Sequence, residues 1–280
     1  MKPYLAVDEL ADAILPVDAH DRIMVMLAAY CDASYTELGK RFVMVAGCLA
    51  TVSRWKTFQS KWQAMLTKEG LPFFHMTDFE SYQGHYKGWT KERHIHVMKK
   101  VATAIRGRID FAFGRGVLCK DYEEAQLHNP TLSDYRPFTY CASQCFHAVA
   151  EWAEKYGHHG PIAYIFESGD RYVQELNRYK LMIEASQNLM KRFRWAGLHI
   201  LPKVMDNPPF PLTPLQAADV WAFEARKEWE NAHSLALGKR NRAVRRSARA
   251  LLGNGVEIDF GFSDQGSLLS LEPYWSSEAK

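Results

Sequence analysis

Apolar and polar positions alternate along this chain in blocks that predict most of its elements. Ile23 to Cys31 (IMVMLAAYC) is apolar and uncharged and stops on a single carboxylate, Asp32. Such a run, bounded by a polar turn, predicts a strand buried on both faces. After Tyr35–Lys40 a second apolar run covers Phe42 to Val52. Two runs joined by a short glycine-containing connection predict an antiparallel hairpin. Ser53 then opens a helix with Trp55, Phe58, Trp62, Met65 and Leu66 on one face, ending at Gly70. A second helix is expected from its cap at Thr90 to about Arg106, and a third strand over Ile109–Leu118. Gly114 and Gly116 suggest a bulge or kink in that strand. Tyr135–Tyr156 has helical spacing, and Pro161–Glu167 reads as another apolar strand that ends on an acid. A helix over Tyr172–Met190, a short strand over Leu198–Val204 and a helix opened by Thr213 and Pro214 complete the pattern. Residues 1–20 read as a short helix or arm ended by Pro16.

This order implies an α/β fold. The first three strands can form an antiparallel meander, and the last two join through right-handed helical crossovers parallel to the first. A sheet order of 3-2-1-4-5 then places Asp32 and Glu167 side by side, about 4.8 Å apart, at one edge. Ligands bind at that edge in open α/β sheets.

Composition narrows the class without deciding it. The 280 residues are 47% hydrophobic and 24% charged, with a net charge of +3. The chain is therefore expected to bury a real core as a soluble protein. Its five cysteines form no CxxC pair and most lie in apolar runs, which suits buried, reduced thiols and a cytoplasmic location. No uncharged run approaches the roughly 18 residues of a membrane helix. No signal-peptide pattern, repeat, P-loop or GxGxxG is present.

Candidate chemistry gathers on a few residues. Asp219 shares its helix face with Leu215 and Phe223, so a third carboxylate is expected to point inward. Asp32, Glu167 and Asp219 converging at one edge would repel, and hard divalent cations, Mg2+ or Mn2+, would relieve that repulsion. Two such ions about 3.5–4 Å apart support phosphodiester cleavage. His75, in the aromatic segment Phe73–Trp89, suits a general acid or a phosphate contact. Asp78 reads as a helix-cap acid. Gln216 reads either as a group that orients substrate or a carboxylate, or as a surface residue of the first turn. The histidine pairs His94/His96 and His158/His159 lack ligand spacing and read as structural. Further on, Arg242, Arg245, Arg246 and Arg249 fall at i, i+3, i+4 and i+7, one basic helix face suited to phosphates.

With these residues in view, the chain resembles the ribonuclease H-like superfamily, and within it the bacterial domain-of-unknown-function family 3800. The resemblance is carried by YCDAS ending the first strand, FVMVAG, FFHMTDF, IFESGD and LQAADVWA, in that order. It implies a mixed five-stranded sheet flanked by helices, forming a single domain over 1–280. A helical insertion would cover 53–107 and a basic extension 231–280. It also implies a metal-dependent nuclease or related phosphodiester-processing enzyme using Mg2+ or Mn2+ on nucleic acid, with Asp32, Glu167, Asp219 and His75 as its site. Ala33 stands where that family usually has Glu, and Tyr35 where it usually has Gly. The alternative is a ribonuclease H-like nucleic-acid-binding or protein-interaction module without catalysis.

Overall fold

The computed structural model describes residues 7, 26–36, 42–133, 135–167, 172–201, 213–236, 243, 245–251 and 256–270. Two ten-residue strands come first, β1 (Leu27–Thr36) and β2 (Phe42–Thr51). Three helices follow, α1 (Val52–Glu69), α2 (Met76–Ser81) and α3 (Lys91–Ile105). Next are β3 (Phe111–Leu118), α4 (Cys119–Gln126), α5 (Pro137–Lys155) and β4 (Ile162–Glu167). Then come α6 (Val173–Glu184), α7 (Gln187–Arg192), β5 (Trp195–Leu201) and α8 (Thr213–Ala236). The C-terminal part holds α9 (Arg246–Leu251), β6 (Glu257–Ser263) and α10 (Gln265–Leu269).

All six strands form one sheet in the order β5-β4-β1-β2-β3-β6. β2 is antiparallel to β1 and β3, whereas β4 runs parallel to β1 and to β5. This is the ribonuclease H-like arrangement, with one strand added beyond β3. The expectation of five strands therefore falls one short. β6 lies in the stretch assigned to a basic extension and pairs in parallel with β3 over seven residues. Its sequence, VEIDFGF, alternates apolar and polar positions, the ordinary signature of a strand with one face covered.

Period-two alternation divides the core between the two faces of the sheet. Ala28, Tyr30, Ala163 and Ile165 face a layer made by α1, α3 and α8, with Trp55, Trp62, Val101 and Trp221 among its buried residues. Ala29, Cys31, Tyr164 and Phe166 face the other side, where Phe138, Cys145, Phe146 and Tyr179 pack. All five cysteines are buried free thiols. Burial raises the thiol pKa at Cys31, Cys48, Cys141 and Cys145, which keeps them protonated.

Several local expectations change. β1 continues four residues past Asp32, because β2 still pairs with it as far as Thr36. On the other side, pairing with β4 runs only to Cys31↔Phe166. β3 has no break in register at Gly114 or Gly116. The glycines instead make room for rings, since a Cβ would meet Phe260 at 2.5 Å or Phe42 at 2.6 Å. The helix expected over 172–190 is two helices, divided where the Ser186 hydroxyl accepts the N–H of Leu189 and starts α7. β5 begins three residues earlier than expected. α1 starts one residue earlier, capped by the Thr51 hydroxyl, and ends at Gly70 with φ 67°. Apart from Val7, the arm over 1–20 lies outside the described residues.

Candidate active site

The register places the first two acids together. Cys31 pairs with Phe166, so one step further along these parallel strands sets Asp32 beside Glu167. Asp32 follows Ala28 and Tyr30 on one face of β1, and Glu167 follows Ala163 and Ile165 on the same face of β4. Both side chains therefore leave the sheet toward the layer that holds α8.

α8 brings the third acid to the same level. Arg226 Nε donates to the hydroxyl of Ser34 at 2.7 Å, and Trp229 stacks on Phe42, the partner of Thr36. The helix thus runs in the same sense as β1. Asp219 lies seven residues before Arg226, on the same helix face and about 10 Å back along the axis. About three strand residues cover that distance, which carries Asp219 from the level of Ser34 to that of Cys31 and Asp32.

The start of α2 meets α8 at this point. Asp219 Oδ2 accepts the backbone N–H of Met76 at 2.6 Å, so the acid serves an orphan donor in the first turn of α2. His75 is the residue immediately before. Its own N–H donates to Tyr86 Oη at 3.1 Å, and its Nδ1 lies 2.9 Å from Asp78 Oδ2. Burial raises the Tyr86 phenol pKa, and the carboxylates of Asp219 and Asp78 add to the shift. The imidazole is half-buried. Asp78 sits in the first turn of α2 and contacts the imidazole of His75, the N-cap residue, rather than capping the helix itself.

Gln216 is not the surface residue that one of its two readings made it. It is buried, and Oε1 accepts both Trp62 Nε1 at 3.0 Å and the Phe74 N–H at 2.7 Å. One amide oxygen ties α8 to α1 and to the segment leading to His75. The aromatic segment around it packs through ring contacts that run from Phe74 through Phe79 and Tyr86 to Trp89.

Of the four arginines, the described Arg245, Arg246 and Arg249 do not share one helix face. Arg242 lies outside the described residues, and α9 begins only at Arg246. Arg245 turns inward, with Nε 3.0 Å from Glu224 Oε2 and Nη2 paired with Glu80. Glu224 is buried, which raises its carboxyl pKa against the pull of Arg245. Arg246 and Arg249 remain exposed. Their spacing alone could not show this, because it gives no sign of the buried acid that draws Arg245 in. Arg226 was not singled out from the sequence either; its spacing of seven from Asp219 was the available signal.

Asp32, Glu167 and Asp219 offer oxygen donors only, which suits a hard divalent cation. Among the described residues, however, no three His, Cys, Asp or Glu side chains are gathered closely enough to hold a metal ion.

The chain matches no protein-family model and no curated protein. Among solved structures it is similar to Bst-RNase HIII in complex with Mn2+, with a TM-score of 0.40 and 13% identity over 92% of this chain and 69% of that one. It is also similar to a glutamine-to-alanine variant of Bst-RNase HIII, with a TM-score of 0.41 and 15% identity over 84% of this chain and 67% of that one. The fold assignment rests on the strand order and directions of the chain itself. Among the described residues no helix is long and apolar enough to cross a membrane.

Proposed function

We propose that this protein is a divalent-metal-dependent nuclease, or a related phosphodiester-processing enzyme, acting on nucleic acid. We place it in the domain-of-unknown-function family 3800 of the ribonuclease H-like superfamily. The observation that carries the reading is the common face of Asp32, Glu167 and Asp219, delivered by β1, β4 and α8. These three would hold Mg2+ or Mn2+, which when bound would supply charge neutralisation and an activated water. The chain's own part is positioning. Asp78 orients the His75 imidazole, which then holds or donates a proton beside the acids. The exposed Arg246 and Arg249 would contact phosphates. The single domain would span 1–280, with residues 53–107 as the insertion that carries His75 to the edge.

Ala33 does not weigh against this reading. Its side chain packs on the opposite core, beneath the sheet, so a glutamate there would point away from Asp32. The reading as a non-catalytic binding module draws on a different observation, the carboxylate of Asp219 spent on the Met76 N–H. A cleavage panel of labelled RNA and DNA, single- and double-stranded, with Mg2+ or Mn2+ decides between the two. Cleavage by wild type and its loss in Asp32→Asn are expected. Binding without cleavage by either protein would establish the non-catalytic module.

A further inference from the structure

Beside the candidate active site lies a cavity of about 430 Å3 that the nuclease reading leaves unused. α3 supplies His94, Ile95, Met98 and Lys99, α9 supplies Arg246, Ser247 and Ala250, and Glu80 and Arg245 close one end. Its floor is apolar and its rim is cationic. Met98 is buried, with Ile95 and Ala250 half-buried beside it, whereas Lys99 and Arg246 stand exposed on opposite walls. Neither cation takes part in an ion pair among the described residues. Arg245, by contrast, is held by Glu80 and Glu224. His94 is held too, stacked between Phe79 and Tyr82 with its Nε2 on the Phe79 carbonyl.

Two helices measure how far this cavity lies from the acids. α2 starts on Asp219 through the Met76 N–H and reaches the cavity at Glu80, four residues and about 6 Å later. α8 carries Asp219 and, five residues and about 7.5 Å on, Glu224, the partner of Arg245. A strand stacked in a duplex advances about 3.4 Å per nucleotide and an unstacked one more, so either path spans about two nucleotides or fewer.

We propose that the cavity is a nucleotide subsite for a single strand whose cleaved phosphate lies at the carboxylate edge. Lys99 and Arg246, on opposite walls, each contact one of the two phosphates that flank the bound nucleotide, and its base lies on Ile95 and Met98. A concave cavity of this size admits one unstacked nucleotide, which a continuous duplex does not offer. The assignment rests on the nucleic-acid reading above. It adds a lysine of the insertion and a hydrophobic floor that no basic stripe contains.

The test is fluorescence anisotropy of a labelled single-stranded oligonucleotide against salt, in chelator, so that binding is read without turnover. Both cations are exposed, so Lys99→Gln with Arg246→Gln is expected to melt like wild type. Its log–log salt slope is expected to fall by about 1.4, two phosphate contacts at about 0.7 each. Ala250→Trp, which fills the floor and changes no charge, is expected to weaken binding about tenfold with the slope unchanged. Should that variant melt low, Ile95→Gln, which also changes no charge, gives the same readout from the half-buried edge of the floor. Wild-type affinity and slope in the double variant, or wild-type affinity with the floor filled, overturn the subsite even if the enzyme cleaves. If the oligonucleotide binds through Lys99 and Arg246 but is never cleaved, the nuclease reading fails and the subsite stands. No binding by wild type overturns the subsite and leaves the nuclease reading to the cleavage panel.

Discussion

Asp219 Oδ2 and the backbone N–H of Met76 meet at 2.6 Å, which makes one carboxylate both a candidate metal ligand and the acceptor that starts α2. The two duties can be separated by substitution. Asp219→Asn keeps a side-chain oxygen for the N–H, and Asp219→Ala removes it. A hydrogen bond to a charged group contributes about 1.5–3 kcal/mol, so the alanine variant should lose about that much. The asparagine variant should lose clearly less. Denaturant midpoints in chelator measure the difference, and equal losses would show that the bond to Met76 carries little energy.

Metal should separate the same proteins in the opposite way. Wild type should gain stability from Mg2+ or Mn2+ as RT ln(1 + [L]/Kd), about 2.7 kcal/mol at a hundredfold excess over Kd. Asp32→Asn and Asp219→Asn should gain far less, because each lacks one donor. Thermal melts with and without metal check this. Identical metal shifts in all three proteins would remove the carboxylates from any metal site.

Gln216 is expected to matter for stability rather than turnover. Gln216→Leu strands the Trp62 indole N–H and the Phe74 N–H, both in buried surroundings. Each unsatisfied donor costs about 1–3 kcal/mol, so the loss should be about 2–6 kcal/mol. It should appear as a lower denaturant midpoint at unchanged slope. A loss below about 0.5 kcal/mol would mean that water replaces both bonds.

His75 should show the reverse. His75→Ala is expected to lower cleavage by roughly 10²–10⁴-fold while the melting temperature stays near that of wild type. Asp78→Asn, which disturbs only the orienting contact, should fall between the two. A melt several degrees lower with normal turnover would make His75 a packing residue.

A pH effect is expected far from the site. Burial, with Arg192 adding to it, lowers the His147 pKa to about 3, and Arg192 Nε donates to His147 Nδ1 at 3.0 Å. Between pH 6.5 and 3 the unfolded chain binds a proton that the folded chain refuses. His147 therefore contributes stability that is full above about pH 6.5 and declines as pH falls. His147→Phe should flatten the decline across that window, read from urea midpoints at several pH values. A variant whose stability falls as steeply as wild type would place the cause elsewhere.

The periodicity of the chain determined most of the elements and the two faces of the sheet. Apolar runs with two-residue and 3.6-residue periods leave few other ways to bury Tyr30, Trp55 and Phe146 together. It also determined that Asp32 and Glu167 would be neighbours, because a right-handed crossover leaves β4 beside β1. Ser186 and the VEIDFGF run carried local signals for the helix break and for β6, so those features were legible in residues. Contacts between distant segments were not. Nothing within a few residues of Asp219 indicates that its oxygen meets Met76, 143 positions away. Gln216 likewise reaches Trp62 and Phe74 across 154 and 142 positions. Arg245 looked like a member of a basic face suited to phosphates, yet the buried Glu224 and the distant Glu80 draw it inward. The direction of a charged side chain depends on which opposite charge the fold brings within reach, and on how far burial raises the cost of leaving that charge alone. Only the tertiary structure supplies both.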